Sequence, residues 1–265
     1  MKYKLILLFL LFSTAVYAMG QAPHLPGIIE LQDQLQSQLN QMDSDLAQAA
    51  QQLSAVGIRG SATAKILQKL YNTYSSAVDI ATIDLDGRLA WIEPDTYKKS
   101  IGQDISGQPH FISIQKTGKP VLSQLFKTVE GFNATSLAYP VNSAQGKPIG
   151  YVSIVFKPDA FLGNMIKKYI ANLPQVEALA IQKDGKVIYD KDLLQIGKMT
   201  FSDPLYQSYP NLLDLAKKIT QQPAGSGAYT FPAGPGQPAV NKSSEWTTIS
   251  LHSTEWRLII SKVKS

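Results

Sequence analysis

From Ile28 to Val56 the apolar residues fall at Ile28, Leu31, Leu35, Leu39, Met42, Leu46, Ala49, Leu53 and Val56. These steps of three and four are aligned only by a helix. No Gly or Pro interrupts the run between Gly27 and Gly57, so one helix is expected, and at 1.5 Å per residue it would be roughly 40 Å long. The other faces are rich in glutamine, among them Gln32, Gln36, Gln41 and Gln52. A stripe this narrow suits either a coiled-coil seam, which would make a homodimer through helix 28–56, or packing on the protein's own sheets. The step from Leu35 to Leu39 breaks a strict heptad.

A second helical pattern, Ala64, Leu67, Leu70, Tyr71 and Tyr74, gives way to strand texture. VDIATIDLDGRLAWIEP, residues 78–94, reads as two strands around Asp86-Gly87, because Asp-Gly supplies the positive φ of a tight hairpin. The same shape returns as VEALAIQKDGKVIYD, residues 176–190, around Asp184-Gly185. This internal repeat continues downstream. In the first copy a helical insertion is followed by strands 134–141 and 149–156. In the second, helix 212–219 and a Gly/Pro-rich loop, 223–238, precede strands 246–251 and 256–263. Residues 160–173 look like a helical connector. The expected fold is α+β: a long N-terminal helix and a second helix within residues 19–77, an antiparallel sheet unit at 78–159, a connector at 160–175 and a second sheet unit at 176–265.

The ordered set of IDLDGRLAWIEP, IGQDISGQPHF, GKPVLSQLF and LAYPVNSAQGKPIGYVSIVF after a long helix resembles the double Cache sensor domains. The second half matches more loosely, through AIQKDGKVIYD, WTTISL and EWRLII. The resemblance implies two PAS-like halves with helices and loops over one face of each sheet. It also implies binding of a small metabolite in the membrane-distal half, 78–159, with the proximal half, 176–265, relaying the change. Because the sequence ends at Ser265 with no second apolar span, it is expected to act without its own transducer, docking on a membrane-bound signalling partner.

Amino-acid-binding members carry an Arg-x-Trp-Tyr signature and a later Asp; the arginine holds the ligand carboxylate and the aspartate its ammonium. Gln108 stands here in the arginine's place, His110 in the tryptophan's, Phe111 in the tyrosine's and Val155 in the aspartate's. With both charges missing, a zwitterion would lose its water without replacement, and the expected ligand is not a zwitterionic amino acid. Alternation along 149–156 sends Tyr151, Ser153 and Val155 to one face. With Trp91, Gln108, His110 and Phe111 they are expected to form a neutral, aromatic ligand pocket. The bland alternative is that these aromatics fill the core and the pocket is vestigial, leaving a structural or interaction module.

An enzyme of unrecognised class is the third reading, but the motifs are weak. Ser113-x-x-Lys116 and Lys116-Thr117-Gly118 claim the same lysine, whereas that chemistry needs two. His24, His110 and His252 are far apart without metal-ligand spacing, and no cofactor is implied. Arg257, after Trp256 on the last strand, is expected to face solvent. Lys2 and Lys4 before an apolar run, with Val16 and Ala18 at the expected small positions, read as a secretory signal cleaved after Ala18. The protein would then be secreted or periplasmic; an uncleaved N-terminal anchor is the alternative, although the run is shorter than the roughly 20 residues of a spanning helix. The chain has no cysteine, so its core alone must stabilise it outside the cell. The formal charge of +5 includes Lys2 and Lys4, leaving +3, spread without a basic block, and nucleic acid is not an expected partner.

Overall fold

A computed structural model describes residues 27–128, 131–234 and 236–264. The proposed signal segment lies outside them. Helix α1 spans Ile28–Val56 and α2 Ser61–Thr73. The first sheet is built from β1 (Ala77–Ile83), β2 (Leu89–Glu93), β3 (Val121–Leu122), β4 (Phe126–Lys127), β5 (Asn133–Asn142) and β6 (Pro148–Phe156). Helix α3 (Pro109–Thr117) is inserted before β3, and α4 (Pro158–Ile170) follows β6. The second sheet holds β7 (Val176–Gln182), β8 (Val187–Tyr189), β9 (Gly225–Pro232), β10 (Ala239–Leu251) and β11 (Thr254–Val263). Between β8 and β9 lie α5 (Pro204–Gln207) and α6 (Pro210–Gln221).

The two sheets repeat one topology. Their orders are β2-β1-β6-β5-β3, with β4 also on β5, and β8-β7-β11-β10-β9. All pairings are antiparallel. In each hairpin the Asp-Gly glycine takes a positive φ, 84° at Gly87 and 86° at Gly185. That conformation is cheap only without a Cβ, and at Gly185 a Cβ would also meet the Phe201 ring at 2.7 Å.

The apolar stripe of α1 is consumed within the chain. Leu31, Leu35, Leu39, Met42, Leu46 and Leu53 are fully buried. They share one cluster with Ile80, Leu137 and Ile154 of the first sheet and Ile249, Leu258 and Ile260 of the second. Each such leucine contributes about 1.5–3 kcal/mol by leaving water. The coiled-coil seam weighed from sequence therefore has no stripe left: α1 is the shared spine of both sheets, and Ile29 and Val56 are its only exposed large apolar residues among those described.

Two local expectations need correction. The Gly/Pro-rich stretch expected as loop contains β9, an edge strand on β10, where Gly225 lies flat against the Trp246 ring. Arg257 is buried rather than solvent-facing. Its Nε donates to Ile219 O (2.9 Å) and Gln222 O (3.1 Å), satisfying carbonyls at the end of α6, while Nη1 pairs with Glu255 at 2.8 Å.

Candidate ligand-binding site

Each sheet has one face on the α1 side and one face covered by its inserted helices. On the first sheet the covered face carries ladder rows Asp79–Val155–Ser136, Ala81–Ser153–Ala138 and Ile83–Tyr151–Pro140. Helix α3 closes over it. Phe111 meets Tyr151 edge-on with centroids 5.4 Å apart, inside a cluster with Ile83, Ile105 and Ile114. His110 is buried and stacks on Phe126 at 5.4 Å, and neither ring nitrogen has a hydrogen-bond partner among the described residues. Burial pulls its pKa down to about 4, so the ring is neutral at pH 7. Burial likewise raises the Tyr151 phenol.

Of the seven residues expected to form a pocket, His110, Phe111, Tyr151, Ser153 and Val155 lie on or beneath this covered face. Trp91 and Gln108 do not join them. Trp91, paired with Thr82, faces the α1 side, where Nε1 donates to Glu93 Oε1 at 3.3 Å and Lys98 Nζ lies 5.7 Å from its ring. Gln108 is the half-exposed residue before α3, and its side chain caps nothing.

The second sheet encloses a cavity of about 250 Å³ between its covered face, α5, α6 and the loops after β8 and β9. Its floor is apolar, with Ile181, Val187 and Ile259 from the sheet and Leu215 and Ile219 from α6. One end is charged. Glu177, at the start of β7, accepts from Lys242 Nζ through Oε2 and from Lys191 Nζ through Oε1, both at 2.5 Å. Lys242 is buried; its Nζ also donates to Pro232 O at 3.2 Å and lies 5.9 Å from the Tyr229 ring.

Beside these groups, partly buried Asp190 makes no ion pair among the described residues. Its Oδ1 accepts from Asp192 N at 2.8 Å. Burial pushes its carboxyl up to about 6; the Asp192 and Glu177 charges add to the rise, and the Asp192 N–H and Lys191 oppose it. Tyr206 donates to Gln195 Oε1 at 2.9 Å and Tyr229 to Ser261 Oγ at 3.3 Å. Burial raises both phenols, Tyr229 to about 12.

The sequence reading passed over Asp190, Glu177 and Lys242. The available signal was strand alternation, which puts Glu177 with Leu179 and Ile181, and Lys242 with Ser244 and Trp246, on one face. A charge in an apolar row is the informative exception. Among the described residues no three His, Cys, Asp or Glu gather as a metal site. No helix among them is long and apolar enough to cross a membrane.

Residues 37–158 match the family model described as the HK/GC/chemotaxis protein-like sensor domain. No curated protein matches the chain. Among solved structures, an extracellular ligand binding receptor from Desulfohalobium retbaense DSM5692 is 37% identical with a TM-score of 0.73, over 88% of this chain and 39% of that one. The chain thus spans about two fifths of that receptor. The ligand-binding domain of the Pseudomonas fluorescens chemoreceptor CtaA, in complex with L-isoleucine, is 19% identical with a TM-score of 0.62, and each chain is covered to 89%. That of the Pseudomonas aeruginosa PAO1 chemoreceptor PctB, in complex with L-Arg, is 16% identical with a TM-score of 0.63, over 89% of this chain and 92% of that one.

These complexes overturn the expectation against a zwitterionic amino acid, since CtaA and PctB domains of the same fold hold isoleucine, serine, alanine, arginine and glutamine. Charge at two aligned positions does not decide whether a zwitterion is answered. A carboxylate, Asp79, stands directly across the ladder from Val155, and charges of both signs line the second-half cavity. The matched family and these neighbours are sensory ligand-binding domains. With its long leading helix and twice-repeated sheet order, the chain has the α+β fold of the double Cache sensor domains, and over residues 37–158 it matches the sensor-domain model in sequence.

Proposed function

We propose that the chain is an extracytoplasmic sensing module that binds a small metabolite, without catalysis, in the cavity of its second half. One observation carries this reading: a cavity of about 250 Å³ with an apolar floor and charges gathered at one end. Ligand pockets combine a largely apolar lining with a few placed polar groups, and this volume falls just under the roughly 300–1,000 Å³ of drug-sized sites. The ligand is correspondingly small. The name of the 37% identical receptor supports a place outside the cytoplasm, and the amino acids held by the CtaA and PctB domains give the ligand class to test first. The test is a thermal-shift screen of metabolites, because a ligand that binds only the folded state adds about 2.7 kcal/mol of stability at a hundredfold excess over Kd and so raises Tm. A hit abolished by Ser244→Phe, which fills the cavity, supports the reading; a hit indifferent to it overturns this placement.

A second seat is favoured by one further observation, the two unpartnered nitrogens of buried His110 on the covered face of the first sheet, beside Phe111, Tyr151, Ser153 and Val155. A buried donor or acceptor without a partner costs about 1–3 kcal/mol, a cost that a ligand or water there would relieve. A metabolite whose shift survives Ser244→Phe and disappears in His110→Phe would bind at this seat.

A further inference from the structure

The two most exposed large apolar side chains among the described residues are neighbours: Leu193 is 69% exposed and Leu194 81%. They stand in the turn that follows β8, and the bonds of that turn hold them outward. Asp190 Oδ1 accepts from Asp192 N at 2.8 Å, and Asp192 Oδ1 from Leu194 N at 3.1 Å. Gln195 N and Ile196 N then close the turn on Asp192 O and Leu193 O, and Tyr206 donates to Gln195 Oε1. No leucine side chain takes part. The first half contains the same turn after β2: Gly102 N donates to Leu89 O as Gly197 N does to Val187 O, with both glycines at positive φ. Counted back from those glycines, Lys98 and Lys99 stand where Leu193 and Leu194 stand. The repeat thus builds this turn without leucine, and the pair answers to something outside the fold.

The register places the pair at the free end of the second half. Strand β8 runs back toward the start of β7, where Val176 faces Lys262 at the end of β11 and Lys242 of β10 faces Val263. Helix α1 starts at the same end. Its Gln32 accepts from Thr247 Oγ1 and its Gln36 from Ser250 N, so it climbs along β10 toward the first half and leaves Gly27 below. The opposite end of the second sheet, at Thr254, is the one that meets the first half, through Leu122 O. Helix α4 also finishes at the free end, its Tyr169 ring against Gly27.

The same end exposes five lysines: Lys167 and Lys168 in the last turn of α4, Lys191 ahead of the leucines, and Lys262 and Lys264 on the last strand and just past it. Of the acids there, Glu177 is held by Lys191 and Lys242, Asp190 and Asp192 are half-buried in the turn, and Glu30 and Asp33 are exposed on α1. An apolar tip among ammonium groups matches the layering of a phospholipid surface, where phosphates overlie acyl chains. Lysine reaches such phosphates on a flexible apolar stem. A second copy docked on this end would set five lysines against five. In the sequence, the apolar run that opens at Leu5 leads into the chain at this end too, at Gly27.

We propose that the free end of the second half rests on a phospholipid bilayer, with Leu193 and Leu194 at the boundary of the acyl chains and the lysines at the phosphates. Each contact alone holds weakly, and stable attachment takes both. The proposal is independent of what the cavity binds.

The chain has no cysteine, so a single one can report on each end. Leu194→Cys and, at the far end of α1, Val56→Cys are labelled in the full chain with nitrobenzoxadiazole, a fluorophore sensitive to water, and mixed at pH 7.5 with vesicles of phosphatidylcholine and phosphatidylglycerol. Both positions are exposed, and an unchanged melting curve checks that each labelled chain is folded. The label at 194 is expected to shift to the blue, to brighten roughly threefold and to be quenched by lipids with a nitroxide on the acyl chain, while the label at 56 stays in water. Leu193→Asp beside the label is expected to abolish the response. A label at 194 that stays in water overturns the proposal. So does an equal response at 56, which would mean adsorption without orientation, or a response that survives Leu193→Asp. A blue shift at 194 that needs no vesicles and grows with protein concentration would assign the tip to a second copy, and the lipid seat would fail.

Discussion

Burial acts on Asp190 and His110 in opposite senses with respect to pH. Asp190 is raised to about 6, from 3.8 when free, so between those values the folded chain holds a proton that the unfolded chain has lost. Stability then falls as pH rises from about 4 to about 6. Asp190→Asn should therefore be more stable than the parent at pH 7.5, the gap closing toward pH 4, as read from urea melts across that range. His110 is lowered from 6.5 to about 4, so here the unfolded chain is the one that takes up the proton. Its contribution is complete above about 6.5 and is lost as pH falls toward 4. His110→Phe should raise Tm by removing two orphaned nitrogens, and should flatten that acid limb. A variant that keeps the limb would place the proton uptake elsewhere.

At the scale of elements, α1 and the strands were legible because burial writes a period into the sequence. The helix expected from Ile28 to Val56 is found with those bounds, since three-and-four spacing admits one solution. Both Asp-Gly hairpins were legible for a similar reason, positive φ being a demand few residues meet. Strand β9 was not legible: Gly225, Gly227 and Pro232 are depleted in strands and mask Tyr229, Thr230 and Phe231 between them, and only the structure shows the pairing that lays Gly225 against the Trp246 ring. The second-half cavity escaped because its charged residues come from three separate segments, each unremarkable alone, while the resemblance pointed to the first half. Two elements allow direct tests. Leu39→Ala empties a fully buried site between both sheets and should cost about 2–5 kcal/mol, measured by denaturant melts. Arg257→Met keeps much of the volume but takes the guanidinium donor from the Ile219 carbonyl and leaves Gln222 O with only the Trp246 Nε1 bond. It should destabilise α6, seen as faster amide exchange in residues 210–221 before any change in α1.

At the scale of the molecule, the two sheets meet through more than a shared helix. Asp43, midway along α1, accepts from Tyr139 of β5 at 2.7 Å and contacts His252 Nε2 at 2.5 Å. His252 occupies the β10–β11 turn with φ 47°, followed by Ser253 with φ 69°. One carboxylate therefore ties the spine, the first sheet and a turn of the second. Around it Thr254 Oγ1 donates to Leu122 O at 2.5 Å, Gln182 bonds Gln124, and Trp256 packs edge-on against Phe156 at 6.5 Å. Strands β10 and β11 carry Lys242, Ser244 and Ile259 of the cavity and run without a break to the turn at the Asp43 junction. Coupling between the two needs an element that both sites bias, and the turn with its positive-φ residues is the place to look. Asp43→Ala leaves α1 helical but removes the shared acceptor. We expect it to lower Tm and to restrict ligand protection: in hydrogen exchange a metabolite held in the second-half cavity should slow amides of β5 and β6 in the parent chain, and only those of the second sheet in the variant. Equal protection of both sheets in the variant would mean that the apolar spine alone carries the signal between the halves.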